Sequence, residues 1–228
     1  MKYLIVNADD LGYSRGINEG IIEGHIKGIV TSTSLMVYAK AAEQGVILTK
    51  KFPKLGVGLH FQIGKEELGV LNQQVNKALA IATIEKTKEE FTKQVKLFSE
   101  LTGKLPDHID GHYHIHKLPL IYPYISKFAK RNNIPLRDDG VNFIRTFFNM
   151  KDEKVISSDA LIKILRDLPD GISELMCHPA KFTDDLDSSY KQQREVELKS
   201  LTSDKVIELV KELGIKLINW SEIGKVIL

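Results

Sequence analysis

Apolar and polar positions fall into alternating blocks along the chain. Tyr3 to Asn7 is a short continuous apolar run of the kind that forms a buried strand. Ser14 then stands as an N-cap, and Ile17, Ile21 and Ile22 recur at helical spacing until Gly28. Thr33 to Val37 predicts a second strand, Ala39 to Lys51 a helix that stops before Pro53, and Leu55 to Phe61 a third strand. After a looser stretch, Glu89 to Leu101 is strongly amphipathic, with Phe91, Val95 and Phe98 on one face and Gly103 past its end. His108 to Asp110 predicts a short strand, Leu120 to Arg131 a helix, and Leu136 a strand after Pro135. Ala160 to Leu168 is helical, Glu174 to Cys177 a strand, Glu195 to Leu213 mainly helical, and Lys216 to Asn219 a last strand.

This alternation predicts an α/β protein with a parallel sheet covered by helices. A (β/α) barrel, distorted or incomplete, fits better than an open sheet. No glycine-rich dinucleotide fingerprint follows the first strand, and polar residues gather after several different strands. The 228 residues are expected to form one domain over 1–228.

Composition narrows the partners. Apolar residues are 43% and charged residues 27%, with a formal net charge of +2. No long Lys/Arg run favours nucleic acid or an anionic membrane, and no stretch approaches the roughly 18 apolar residues of a span. The single cysteine, Cys177, excludes an internal disulfide, and no secretory leader is visible, so a reducing cytoplasm is expected. As a neighbour of His178 on a strand, Cys177 should face the other way and pack in the core.

The candidate chemistry lies at strand ends. Asp9 and Asp10 close the first strand, His60 the third, and His178 a later one, while Asp110, His112, His114 and His116 follow the fourth. In a parallel barrel these ends share one rim, where active sites lie. Carboxylates ending an apolar strand are costly unless paired or bound to metal. Neighbouring strand side chains diverge, so one of the two carboxylates can face a metal and the other a substrate.

Four of the seven histidines fall between His108 and His116. Neutral imidazole is a good ligand for several divalent metals. Not all four can reach one ion, so the others contact substrate or support the fold, with His114 the candidate for substrate contact. Gly111 is expected to let the backbone turn. His178, an imidazole at a strand end on the rim, is a general-acid candidate. Asp138-Asp139-Gly140 and Thr183-Asp184-Asp185 read as turns or caps, and Tyr13 and Trp220 suit either sugar contact or packing.

Five segments together resemble the YdjC-like carbohydrate deacetylases, which include the chitooligosaccharide deacetylases. They are Val6-Asn7-Ala8-Asp9-Asp10-Leu11-Gly12, Gly28 to Thr33, Gly58-Leu59-His60-Phe61, His108 to His116, and Met176-Cys177-His178-Pro179-Ala180. Leu11 stands where the family often has Phe, and Tyr113 interrupts what is often an unbroken histidine triplet. The resemblance implies a distorted (β/α) barrel, removal of acetyl from N-acetylated sugars, a homodimer, and one divalent metal, commonly Mg, which two imidazoles make chemically less natural; the donor set does not select strongly among Mg, Zn and other transition metals, and the ion is left open. It implies Asp10, His60 and His112 as ligands and Asp9 as base. A rival enzyme reading, a metal-dependent phosphoesterase, would call on Arg15, Arg137 or Arg145 for phosphate, and a non-enzyme reading is a sugar-binding module with a closed structural metal. Gln62 to Thr83 and Asn142 to Asp159 are expected to shape access to the site.

Overall fold

The structure is a computed structural model, described over residues 1–64, 77–148, 152–186 and 190–226. Of the two access segments, 65–76 and 149–151 therefore lie outside the described residues.

Seven parallel strands form one sheet. They are β1 (Lys2–Leu11), β2 (Ser32–Leu35), β3 (Gly56–Phe61), β4 (Ile109–Gly111), β5 (Asn142–Ile144), β6 (Gly171–Cys177) and β7 (Lys216–Leu217). The order is β4-β3-β2-β1-β6-β5, with β7 also on β1. Short β7 pairs with β1 at Tyr3 and Leu4, while β2 takes over from Asn7 onward. The sheet curls into an incomplete (β/α) barrel with helices around it. The strand expected at Leu136 is reduced to one bridge with Ile109, and Asn142–Ile144 is a strand that the periodicity did not announce.

The helices are α1 (Arg15–Lys27), α2 (Ala42–Thr49), α3 (Lys77–Thr102), α4 (Tyr122–Arg131), α5 (Ser158–Arg166), α6 (Lys191–Leu201), α7 (Asp204–Glu212) and α8 (Ile223–Val226). Ser14 caps α1 by accepting from Ile17 N at 3.2 Å. The helix expected from Glu89 starts at Lys77, and the one expected over Glu195 to Leu213 is two, parted where Ser203 precedes α7.

Alternation along the strands sorts two environments. Leu4, Val6 and Ala8 of β1, Val57, Leu59 and Phe61 of β3, and Leu175 and Cys177 of β6 join the large apolar core beneath the helices. Phe61 there meets Phe91 of α3 edge-on at 5.3 Å. Ile5 instead joins Val141, Ile218 and Trp220 in a separate cluster inside the curl. Above this apolar floor the inward positions turn polar: Asn7 and Asp9, Ser34, His60, His108 and Asp110, and Glu174 are all buried. Trp220 is 1% exposed and stacks on His108 at 5.1 Å, so it packs rather than offering a sugar platform. Gly58 makes room for that histidine, since a Cβ there would lie 2.3 Å from the imidazole.

Candidate active site

The paired carboxylates sit in a bulge. From Ala8 to Leu11 on β1 the opposing strand advances only from Thr33 to Leu35, so β1 carries one extra residue. Asp10 takes up the excess with φ 70°. The expected divergence of neighbouring side chains is thereby cancelled, and Asp9 and Asp10 both line one rim cavity of about 590 Å³. His60, His112, His114 and His178 line the same cavity.

Asp10, His60 and His112 meet closely. His60 Nε2 lies 3.4 Å from Asp10 Oδ1. His112 Nδ1 lies 3.6 Å from that oxygen and 3.4 Å from His60 Nε2. Asp10 Oδ2 accepts from Arg194 at 2.6 Å, whereas buried Oδ1 accepts no hydrogen bond among the described residues. One carboxylate oxygen is thus neutralised by a guanidinium and the other left facing two imidazole nitrogens. The residues fit a divalent cation. Ligands about 2.1 Å from an ion stand about 3.4 Å apart in a tetrahedron and about 3.0 Å apart at right angles. The observed triangle has the wider spacing. A second group, Asp9, His60 and Asp110, is also close enough for a metal. Its carboxylates are already occupied: Asp9 by Arg137 and Asn7, and Asp110 by Ser34, His60 and Arg137.

Electrostatics follow from this packing. His60 Nδ1 lies 2.7 Å from Asp110 Oδ1, which fixes the ring and leaves Nε2 toward the cavity. Burial lowers the His60 pKa, but Asp110 outweighs it and the ring is raised to about 9. Burial pushes the Asp10 carboxyl up, and Arg194 followed by His60 outweighs it, holding the group well below the ordinary range. His112 is lowered by burial and by repulsion from His60.

Arg137 is the hub of the layer beneath. It is fully buried, donates to Asp9 Oδ1 and Oδ2 at 2.6 and 2.7 Å, and donates to Glu174 Oε1 at 2.8 Å. Its NH2 also lies 2.8 Å from Asp110 Oδ2. Burial alone would raise the Asp9 carboxyl, but Arg137 more than offsets it and the pKa is lowered. Glu174 shares a guanidinium already committed to two other carboxylates, and burial raises it to about 8.

At the other wall, Glu197 Oε2 accepts from His178 N at 2.5 Å, and Oε1 lies 3.8 Å from His178 Nδ1. Tyr190 donates to the same carboxylate at 2.6 Å. Tyr190, Arg194 and Glu197 stand at i, i+4 and i+7, so α6 and the residue before it reach both Asp10 and His178 from one face.

The remaining histidines divide. His114 lines the cavity and is lowered by burial and by Arg137. His108 and His116 are wholly buried, and burial drives His116 down to about 3, so it is neutral. Gly111 does not supply the turn: its φ of −159° is extended. Its role is close approach, since a Cβ would meet Ile115 at 2.8 Å. The turn is made by Tyr113 and His114, with φ 53° and 56°. Cys177 is buried and donates to Asn7 O, and Asp185 accepts from Arg15 N at the start of α1.

Sequence reasoning left Asp110, Glu174, Arg194 and Glu197 without roles and offered Arg137 only as a phosphate ligand. Arg137 is consumed by three carboxylates, Arg15 pairs with Asp185, and Arg145 pairs with Asp138.

Known proteins are similar to this chain in sequence and in fold. A carbohydrate deacetylase from Clostridium beijerinckii is 36% identical, over 96% of this chain and 99% of its own length. A chitooligosaccharide deacetylase from Proteus mirabilis is 34% identical, over 96% and 98%. The crystal structure of a putative cellobiose-phosphate cleavage protein from Enterococcus faecalis superposes with a TM-score of 0.81 at 26% identity, over 97% and 98% of the two chains. A family 4 carbohydrate esterase from Streptomyces lividans, at TM-score 0.58 and 14% identity over 96% and 91%, shares the fold. The YdjC-like protein family matches residues 3–212, and the chain belongs to that family.

Proposed function

We propose that the protein is a metal-dependent hydrolase that removes the acetyl group from N-acetylated sugars, with Asp10, His60 and His112 as ligands, Asp9 as base and His178 as acid. The observation that carries this reading is Asp10 Oδ1, a buried carboxylate oxygen without a hydrogen bond, facing two imidazole nitrogens at 3.4 and 3.6 Å on a cavity wall. The deacetylases among the relatives support the substrate class.

A bound divalent ion supplies Lewis acidity, which acidifies water and polarises an acyl oxygen. The donor set of one carboxylate and two imidazoles is open to Mg, Zn and other divalent transition metals. The protein's own groups do the rest. Arg194 holds Asp10 so that only Oδ1 is offered. On Asp9, Oδ1 receives both Arg137 and Asn7, whereas Oδ2 receives Arg137 alone. Each carboxylate oxygen has two lone pairs, so Oδ2 keeps one to take a proton from the attacking water. An amine is a poor leaving group until protonated, and His178 gives the proton to nitrogen as the C–N bond breaks. Glu197 anchors the main chain of that histidine. His114 is placed to contact substrate.

The phosphoesterase reading finds Arg137 committed to buried acids and neither Arg15 nor Arg145 lining the cavity. A closed structural-metal site does not suit a triad that includes His112, whose side chain is 37% exposed. Acetate release from N-acetylglucosamine oligomers by metal-loaded protein tests the proposal. Hydrolysis of phosphate esters with no acetate release would replace it.

A further inference from the structure

Two aromatic side chains at the cavity mouth are left exposed, one of them on left-handed backbone. Tyr113 follows the proposed ligand His112, and both Tyr113 and the next residue, His114, adopt left-handed backbone conformations at φ 53° and 56°. Residues with side chains reach that region only under strain, and strained segments persist where something else requires them. The side chain so placed is not buried: Tyr113 is 70% exposed, with its ring 4.1 Å from that of His112. Across the site, Phe148 is 40% exposed, with its ring 5.0 Å from His178 and 5.3 Å from Tyr190. Both Tyr113 and Phe148 line the 590 Å³ cavity.

Their positions match the polarity of the reaction. With the roles proposed above, the acyl carbon would sit toward the ligand triad and the departing nitrogen toward His178. Whatever is attached to that nitrogen therefore lies beside Phe148, and what extends toward solvent past His112 meets Tyr113. An aromatic face suits a pyranose ring, whose axial C–H bonds give it an apolar face, and Tyr adds a hydroxyl for its equatorial ones.

We propose that Tyr113 and Phe148 form a ring-stacking subsite that selects amides carried on a pyranose, Phe148 for the ring bearing the nitrogen and Tyr113 for its neighbour. The proposal rests on the deacetylase reading and deepens it. Neither residue does chemistry; they set which acyl compound is held long enough to react.

The test compares N-acetylglucosamine oligomers with vinyl acetate, an activated acetyl ester that carries no ring for either aromatic side chain to stack on. Phe148→Ala and Tyr113→Ala should each lower the ratio of kcat/KM for the trimer to kcat/KM for the ester roughly tenfold, mainly through KM. Tyr113→Ala should also erase the advantage of dimer over monomer. Tyr113→Phe and Phe148→Tyr keep a ring and should keep most of the ratio, and thermal melts check folding. Parallel losses on sugar and ester, or no loss, would overturn the subsite. A wild-type protein that releases no acetate from any sugar would instead overturn the proposed activity. Trimer binding, followed by NMR with turnover stopped by Asp9→Asn, then decides the subsite alone: weakening of roughly tenfold on loss of either ring supports it, and unchanged affinity refutes it.

Discussion

Arg137 grips Asp9 end-on, one terminal nitrogen donating to each carboxylate oxygen at 2.6 and 2.7 Å, and both side chains are buried. A lysine there would keep the charge but lose the planar fork. Arg137→Lys should fold with a lowered melting temperature and lose about 10²-fold in kcat, because Asp9 is no longer oriented. Arg137→Gln strands the carboxylates of Asp9 and Asp110 and should cost about 3–5 kcal/mol or fail to fold. A Lys variant with wild-type kcat would remove orientation of Asp9 from the account.

Glu174 occupies the same network but titrates in the other direction. Its folded pKa of about 8 lies above the ordinary carboxylate value of 4.5. Its contribution to stability is therefore complete below about 4.5 and lost as pH rises through about 8. Glu174→Gln keeps an oxygen for Arg137 Nε and never ionises. Relative to wild type, the variant should gain stability from pH 5 to pH 9, by a few kcal/mol in total at about 1.4 kcal/mol per pH unit within the window. Denaturant melts at the two pH values measure this, and a pH-independent difference contradicts the protonated assignment.

The inner layer was partly legible. Val6-Asn7-Ala8-Asp9 and His108-Ile109-Asp110 alternate polar and apolar, and the polar members all point into the curl. Glu174 interrupts an apolar strand, a costly position that signals a buried partner. On α6, Arg194 and Glu197 share a face with Leu198 and Leu201, all four buried, so charge at core spacing was the available signal. Which cation would meet which carboxylate was not legible, because Arg137, next to the bridge that Leu136 makes with β4, meets Asp9 of β1 only across the curl of the sheet. The β1 bulge was also hidden, since nothing in Asp9-Asp10 requires the left-handed conformation that Asp10 adopts. Leu136 keeps one bridge, and α3 starts at Lys77 in an Ala-rich run of high helix propensity that lies outside the amphipathic pattern beginning at Glu89.

His60 holds a proton up to about pH 9 when no cation is bound, chiefly because Asp110 outweighs the effect of burial. A ligand nitrogen must be deprotonated, so ion and proton compete. Calorimetry with Zn at pH 7, in buffers of differing ionisation enthalpy, should find about one proton released per ion, and affinity should rise about tenfold per pH unit until about pH 9. Binding without proton release would place His60 outside the ligand set.

His178→Ala should slow amide hydrolysis by about 10²–10⁴ and slow 4-nitrophenyl acetate hydrolysis far less, because nitrophenolate leaves without protonation. Equal losses on the two substrates would make His178 a binding group rather than an acid.

The central claim is the division of labour between the adjacent carboxylates, and one paired measurement tests it most directly: metal titration with single-turnover acetate release on Asp9→Asn and Asp10→Asn. Asp9→Asn should bind metal nearly as wild type and lose about 10²–10⁴ in rate. Asp10→Asn should lose metal affinity first and recover part of its rate at high metal concentration. Loss of metal by Asp9→Asn with retention by Asp10→Asn would reverse the roles, and full activity with metal stripped from either variant would contradict the account.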